Sequence, residues 1–347
     1  MPSVKTETSE LAVAFGILGM DPGGRYSAQE IERRFEETLT PEKYTRFAGE
    51  YGKDAALYGR LHAVGRLLAA RYSPFSGAAS VQWTGPYRQA ATASGAKDLL
   101  VANTPVSVKT ESNVVANLSP ANMMVNLPQG KAPATREENW YLTTDGAKLQ
   151  ELYTLVRTLS DDLRGLSADV RSFEQQATHD DRKRIQAVLA AAPQATKAAF
   201  EVRYRELCRS VARRSADQFN SHLTESLATH SRRSVLENLA RWFFRLNAVR
   251  YVLCGIDRGE EFAVVVPDLT SWLRQWELES VQASPDLTRG QSVVDFQVAT
   301  RHRTDRLQHS TAFHAEVRWS HGRFSGAVES KLFKEFAWKD LPFLPGV

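Results

Sequence analysis

The chain has 347 residues, enough for two domains or one large one, and enough to bury a core without disulfide or metal staples. Hydrophobic residues make up 42%, charged residues 24% and aromatics 10%, the composition of a folded water-soluble protein rather than a disordered or fibrous one. Lys and Arg number 44 against 40 Asp and Glu, a net charge of +4 that suits an anionic partner without demanding one.

Met1 to Glu10 is polar and reads as a disordered tip, and it lacks the basic, apolar, small-residue order of a secretory signal. No apolar run approaches the ~20 residues that cross a bilayer, so no membrane association is expected. Cys208 and Cys254 sit in unrelated apolar contexts with no Cys-x-x-Cys spacing, as buried reduced thiols of a cytoplasmic protein would.

After the tip, the apolar stretch Leu11 to Leu18 closes on the turn residues Asp21 to Gly24. Ser27 with Glu30 has capping-box spacing and predicts a helix through Leu39. Leu57, Leu61, Val64 and Leu68 recur at three- and four-residue steps and predict a second helix from Asp54 to Tyr72, ended by Pro74. Gly77 to Gly95 reads as a loop. Leu99 to Ala102 and Val106 to Val108 then read as two strands around the tight turn Asn103-Thr104-Pro105. A polar loop is expected from Asn126 to Asn139.

From Asp145 to about Arg250 the pattern is helical. The apolar positions from Leu149 through Val156 and Leu163 to Phe173 form one stripe and predict one long helix. Such a seam admits a homodimer, but the chain supplies its own partner helices, which favours closure within a bundle. Beyond Arg250 the period becomes two, with strands expected at Tyr251 to Cys254, Phe262 to Val266, Val293 to Val298 and Phe313 to Trp319. The fold class is therefore α/β (α+β). Its expected parts are N-terminal helices with a small α/β core over 1–140, a basic helical bundle over 141–250 and a β-rich segment over 251–347.

Asp98 precedes the first strand of the hairpin and Lys109 ends the second, so the carboxylate and the ammonium meet at one end of adjacent antiparallel strands. A carboxylate can hold a divalent cation, and a lysine can position water and oppose charge on a phosphate. That pair suits phosphodiester hydrolysis. The run Asp98 to Lys109 (DLLVANTPVSVK) resembles the core hairpin of the restriction-endonuclease-like nucleases, the PD-(D/E)XK superfamily. Ser107-Val108-Lys109 followed by Leu118-Ser119-Pro120 is similar to elements of type II restriction enzymes that recognise GGCC. Val317-Arg318-Trp319 and Glu329 to Leu332 are similar to that group's closing strands.

The resemblance implies a restriction-endonuclease-like core, Mg²⁺ as cofactor and double-stranded DNA as substrate, in a restriction or phage-defence role. The backbone chemistry would serve RNA equally. Where the family motif carries an acid two residues before its lysine, this chain has Ser107. The second metal-binding acid is expected to be Glu111, on the Lys109 face by strand periodicity, with Glu50 in reserve.

Asn113 and Asn117 offer amides to bases or phosphates, or cap the turn after the strand. Arg203, Arg205, Arg209, Arg213 and Arg214, followed by arginines from Arg232 to Arg250, could track a nucleic-acid backbone or form a solvated face. A rival site exists at Pro267-Asp268 with Glu329-Ser330-Lys331, and a rival class is a non-catalytic nucleic-acid or protein interaction module that keeps the fold. The eight histidines do not cluster, and neither a P-loop nor Gly-x-Ser-x-Gly is present, which disfavours zinc, P-loop and serine-hydrolase chemistry.

Overall fold

A computed structural model describes residues 3–84, 98–131 and 138–347; most of the expected Gly77 to Gly95 loop lies outside the described residues. Four helices open the chain: α1 (Val4–Ile17), α2 (Ala28–Arg34), α3 (Pro41–Lys53) and α4 (Ala55–Arg71). Each begins where a short polar side chain takes a free backbone N–H. Ser3 accepts from Thr6, Ser27 from Glu30, Thr40 from Lys43 and Asp54 from Leu57.

The disordered tip is therefore corrected to a helix, and Thr8 to Ile17 are buried without a break. A helix covered on all sides has no polar stripe, and so no period to read. It packs on α4 through glycines: a Cβ on Gly16 would lie 2.1 Å from the His62 carbonyl oxygen, and one on Gly65 the same distance from that of Val13. The helix expected to reach Leu39 stops at Arg34, and Glu36 and Glu37 turn left-handed at φ 46° and 62°.

Strands β1 (Gln82–Trp83), β2 (Leu99–Val101) and β3 (Thr104–Thr110) follow. The β2–β3 turn is Ala102-Asn103, both left-handed at φ 46° and 64°, as a two-residue hairpin requires. This moves the expected turn back by one residue and places Thr104 and Pro105 in β3. Strand β4 (Val114–Leu118) leaves this sheet, and a π-helical turn, Asn122–Asn126, leads towards α5 (Trp140–Arg157).

The long helix expected through Phe173 is also corrected. After Arg157 the chain breaks into a 3₁₀ turn, Asp161–Leu163, and α6 (Val170–Gln176). Leu149, Leu152, Val156, Leu163, Val170 and Phe173 still enter one core. Apolar spacing reported burial; the Ser-, Asp- and Gly-containing break decided continuity. Arg157 ties the break, donating to the carbonyls of Leu166 and Arg164 at 3.0 Å each.

Helices α7 (His179–Ala191), α8 (Gln194–Thr229) and α9 (Arg232–Phe243) precede β5 (Tyr251–Asp257), β6 (Glu260–Val266) and α10 (Leu269–Gln275). Strands β7 (Trp276–Asp286), β8 (Ser292–His302), β9 (Gln308–Trp319) and β10 (Val328–Lys334) complete the order. The architecture is mixed α/β. One five-stranded sheet runs β1-β2-β3-β5-β6 and the other β4-β10-β9-β8-β7.

Strands β5 and β6, from the segment read as β-rich, thus join the hairpin sheet. The β3–β5 pair is parallel, so its connection must cross over, and the helices from α5 to α9 lie within that connection. Every residue of β5 is buried. Val252, Cys254 and Ile256 meet the α1–α4 core, whereas Tyr251 and Leu253 meet the larger core beneath α8 and the second sheet.

Candidate functional site

The β2–β3 hairpin holds Asp98 at its open end. Asp98 is 1% exposed, and its Oδ2 accepts from the Val108 N–H at 2.7 Å and from Ser107 Oγ at 3.1 Å. Its own N–H donates to the Val106 carbonyl at 2.9 Å, and its carbonyl accepts from Thr84 N–H at 3.1 Å. The carboxylate thus takes a strand N–H as a backbone acceptor would, which fixes its rotamer. Ser107, fully buried, supports that carboxylate. On the neighbouring strand, burial pushes the thiol of Cys254 and the phenol of Tyr251 up, and the Asp98 charge adds to both.

Lys109 lies two residues beyond Ser107, half-buried, opposite Gly255 in β5. Gly255 adopts φ 137°, and a Cβ there would sit 1.8 Å from the Lys109 carbonyl oxygen. Glycine is therefore required for β5 to lie against the lysine strand. Gly255→Ala is expected to cost at least ~2 kcal/mol through backbone strain and overpacking. Thermal unfolding checks this; a transition at the wild-type temperature would contradict it.

Glu111 goes elsewhere. Its φ of 50° ends the alternation of β3, its N–H donates to the Ile256 carbonyl at 2.8 Å, and its Oε1 accepts from Gly259 N–H at 2.9 Å. Gly259 belongs to the β5–β6 turn, where Arg258 and Gly259 are both left-handed. The structure therefore does not bring Glu111 to Asp98: strand periodicity fails at a left-handed residue, and four strand residues from Ser107 to Glu111 span ~13 Å. Glu50, on α3, pairs with Lys53 at 2.7 Å and adds its charge to Tyr58 of α4.

Both asparagines lie with the second sheet. Asn113 is exposed; its side-chain oxygen accepts from Lys334 Nζ at 3.4 Å and its carbonyl from Lys334 N–H at 3.0 Å. Asn117, also exposed, donates to Glu329 Oε2 at 3.2 Å. In the rival site, Glu329 and Lys331 pair with each other at 3.2 Å on β10. Asp268 instead caps α10, accepting from Ser271 N–H at 2.9 Å and Ser271 Oγ at 2.7 Å, and those bonds hold its carboxyl below the usual range. Asp268 is thus engaged at the start of α10, and Glu329 and Lys331 engage each other.

On α8, Arg213 and Arg214 are both exposed, but Arg214 donates to the Thr144 carbonyl at the α5 kink. Arg209 donates to the Leu287 carbonyl at 3.2 Å. Arg213 has no ion-pair partner among the described residues. The basic stripe is thus partly spent on tying helices and turns together.

Sequence reasoning missed a buried ion pair. Lys334 has a fully buried side chain, and its Nζ lies 2.7 Å from Asp257 Oδ1 and 2.8 Å from Oδ2. It also donates to the Phe336 carbonyl at 2.8 Å, and the Trp338 N–H donates to Asp257 Oδ2 at 3.1 Å. Burial pulls the ammonium below the ordinary lysine range while Asp257 pulls it back up, so the two effects oppose. The pair bolts the end of β5 to the end of β10. A signal existed: Lys334 stands two residues from buried Leu332 and four from buried Ser330, so strand alternation assigns it to the covered face.

Among the described residues, no three His, Cys, Asp or Glu side chains converge on one point, and no helix is long and apolar enough to cross a membrane. No family model, no curated protein and no solved structure matches the chain.

Proposed function

We propose that the chain is a metal-dependent endonuclease with a restriction-endonuclease-like core that hydrolyses phosphodiester bonds of double-stranded DNA, in a restriction or phage-defence role. The observation that carries this reading is the buried Asp98 carboxylate, fixed by Ser107 and Val108 at the start of β2, with Lys109 two residues further along the partner strand. Asp98 would hold a magnesium ion through its carboxylate, a hard oxygen donor of the kind this ion takes. When bound, the ion supplies positive charge against the phosphate oxygens.

The chain's own residues do the rest. Ser107 and the Val108 N–H keep the Asp98 carboxylate in one orientation. Lys109 hydrogen-bonds and orients the attacking water, and its ammonium opposes the charge that develops on the phosphate. Arg213 and neighbouring α8 arginines hold the DNA backbone, whose phosphates take guanidinium forks regardless of base.

A second reading has its own support. Glu111, the acid expected to join Asp98, is committed to the Gly259 turn. That favours a nucleic-acid or protein interaction module that keeps the fold without catalysis. Purified protein incubated with supercoiled plasmid, with Mg²⁺ or with EDTA, separates the two. The nuclease reading expects nicked or linear DNA with Mg²⁺ alone; intact plasmid in both lanes, with binding retained, selects the module. A parallel arm with RNA of the same length reports the substrate.

A further inference from the structure

Far from the Asp98 hairpin in sequence, α8 and the turns following β7 and β9 border a solvent-open cavity of about 640 Å³, lined by Tyr204, Arg205, Arg318, Trp319 and Arg323 among others. That volume lies within the range of small-ligand sites, ~300–1,000 Å³. Its cations are arranged unequally. Arg323 is locked: it grips both carboxylate oxygens of Glu201, with Nη2 at 2.8 Å from Oε2. Its guanidinium lies 4.5 Å from the Tyr204 ring centroid and 5.1 Å from that of Phe200, two rings stacked at 14°.

Two rings thus pack against this planar group and its fork is filled, while its side chain remains 37% exposed. Arg323 also lines a second cavity, of about 420 Å³, on the α7 side. The exposed part of a fixed guanidinium that lines a cavity is a platform for a flat π-system. Arg318 stands in the same cavity, held 3.3 Å from Glu316 and 3.5 Å from Glu329. Arg205 is exposed on α8 and has no ion-pair partner among the described residues.

We infer that this cavity binds a nucleotide unit, with the base stacked on Arg323 and the phosphate held by Arg205. The three observations divide the ligand between them: the platform selects a planar ring, the uncommitted guanidinium selects an anion, and the volume admits both together. A carboxylate or phosphate alone would use Arg205 and leave the platform bare. The inference is independent of cleavage at Asp98. The unit belongs either to a free nucleotide or to a nucleic-acid strand.

Isothermal titration of the full chain in EDTA, where no metal-dependent cleavage occurs, tests it with dAMP, a deoxyadenosine hexanucleotide and inorganic phosphate. Saturable binding of dAMP or the hexanucleotide is expected, weakened at least tenfold by Arg205→Ala and by Arg323→Lys. Arg323→Lys keeps the charge but removes the plane, so it should leave phosphate binding unchanged. Equal affinity for the two nucleotide ligands marks a free nucleotide, and tenfold tighter binding of the hexanucleotide marks a strand. Absence of binding by both, or binding undiminished by either variant, would overturn the site. Arg205 is exposed, so its variant folds even if replacement of Arg323 disturbs the Glu201 contact.

Discussion

Asp98→Asn and Lys109→Ala are each expected to lower metal-dependent plasmid cleavage by a factor of about 10²–10³ or more, the loss that follows removal of one group acting on developing charge. Asparagine is the informative replacement at 98. The wild-type carboxylate accepts the Val108 N–H inside the hairpin, so alanine would leave a buried donor unpaired at ~1–3 kcal/mol and confuse instability with lost chemistry. Asparagine keeps an acceptor oxygen while removing the negative charge. Single-turnover cleavage rates, read beside thermal unfolding, check the pair. Wild-type rates in either variant would sink the site, and loss of activity only in variants of Glu329 or Lys331 would move it to β10.

Lys334→Met is expected to destabilise the fold by about 3–5 kcal/mol, the largest single-residue effect on stability foreseen here. The cost arises because Asp257 would keep its charge in a site where it is 5% exposed and where the Trp338 N–H remains its surviving described partner. Coulombic attraction in the intact pair is largely offset by desolvation of both ions, so the pair itself contributes much less than its rupture costs. The double variant Asp257→Asn with Lys334→Met should therefore recover a large part of the loss. Urea unfolding of the two single variants and the double variant measures this. Additive losses in the double variant would show that the two side chains act separately, contrary to the geometry.

Local chemistry was the most legible part of the fold. Ser27 starts a helix where its spacing to Glu30 predicts, the apolar steps from Leu57 to Leu68 mark α4, and the segments read as strands after Arg250 lie in β5, β6, β8 and β9, with alternation clear in β6 and absent in the fully buried β5. Legibility failed where burial or distance intervened. Helix α1 is covered all round, so its sequence carries no amphipathic period. The α5–α6 stripe kept its burial but lost its continuity, because apolar spacing is blind to a break whose residues stay in the same core. At the candidate site the β2–β3 hairpin from Asp98 to Lys109 was readable because its contacts are local. Glu111 was misplaced because one left-handed φ cancels strand alternation. The Asp257–Lys334 pair joins residues 77 apart on different sheets, and alternation could assign Lys334 to a covered face but could not name its partner.

The most direct measurement is a magnesium titration of plasmid cleavage by the wild-type chain, Asp98→Asn and Lys109→Ala. With Asp98 holding the ion and Lys109 acting on water and phosphate, wild-type cleavage rises from nothing in EDTA to a plateau. Asp98→Asn shifts the midpoint to higher Mg²⁺ or abolishes the response, and Lys109→Ala lowers the plateau at an unchanged midpoint. Cleavage that persists in EDTA, or an Asp98→Asn curve that overlays the wild-type curve in both midpoint and plateau, would contradict the assignment.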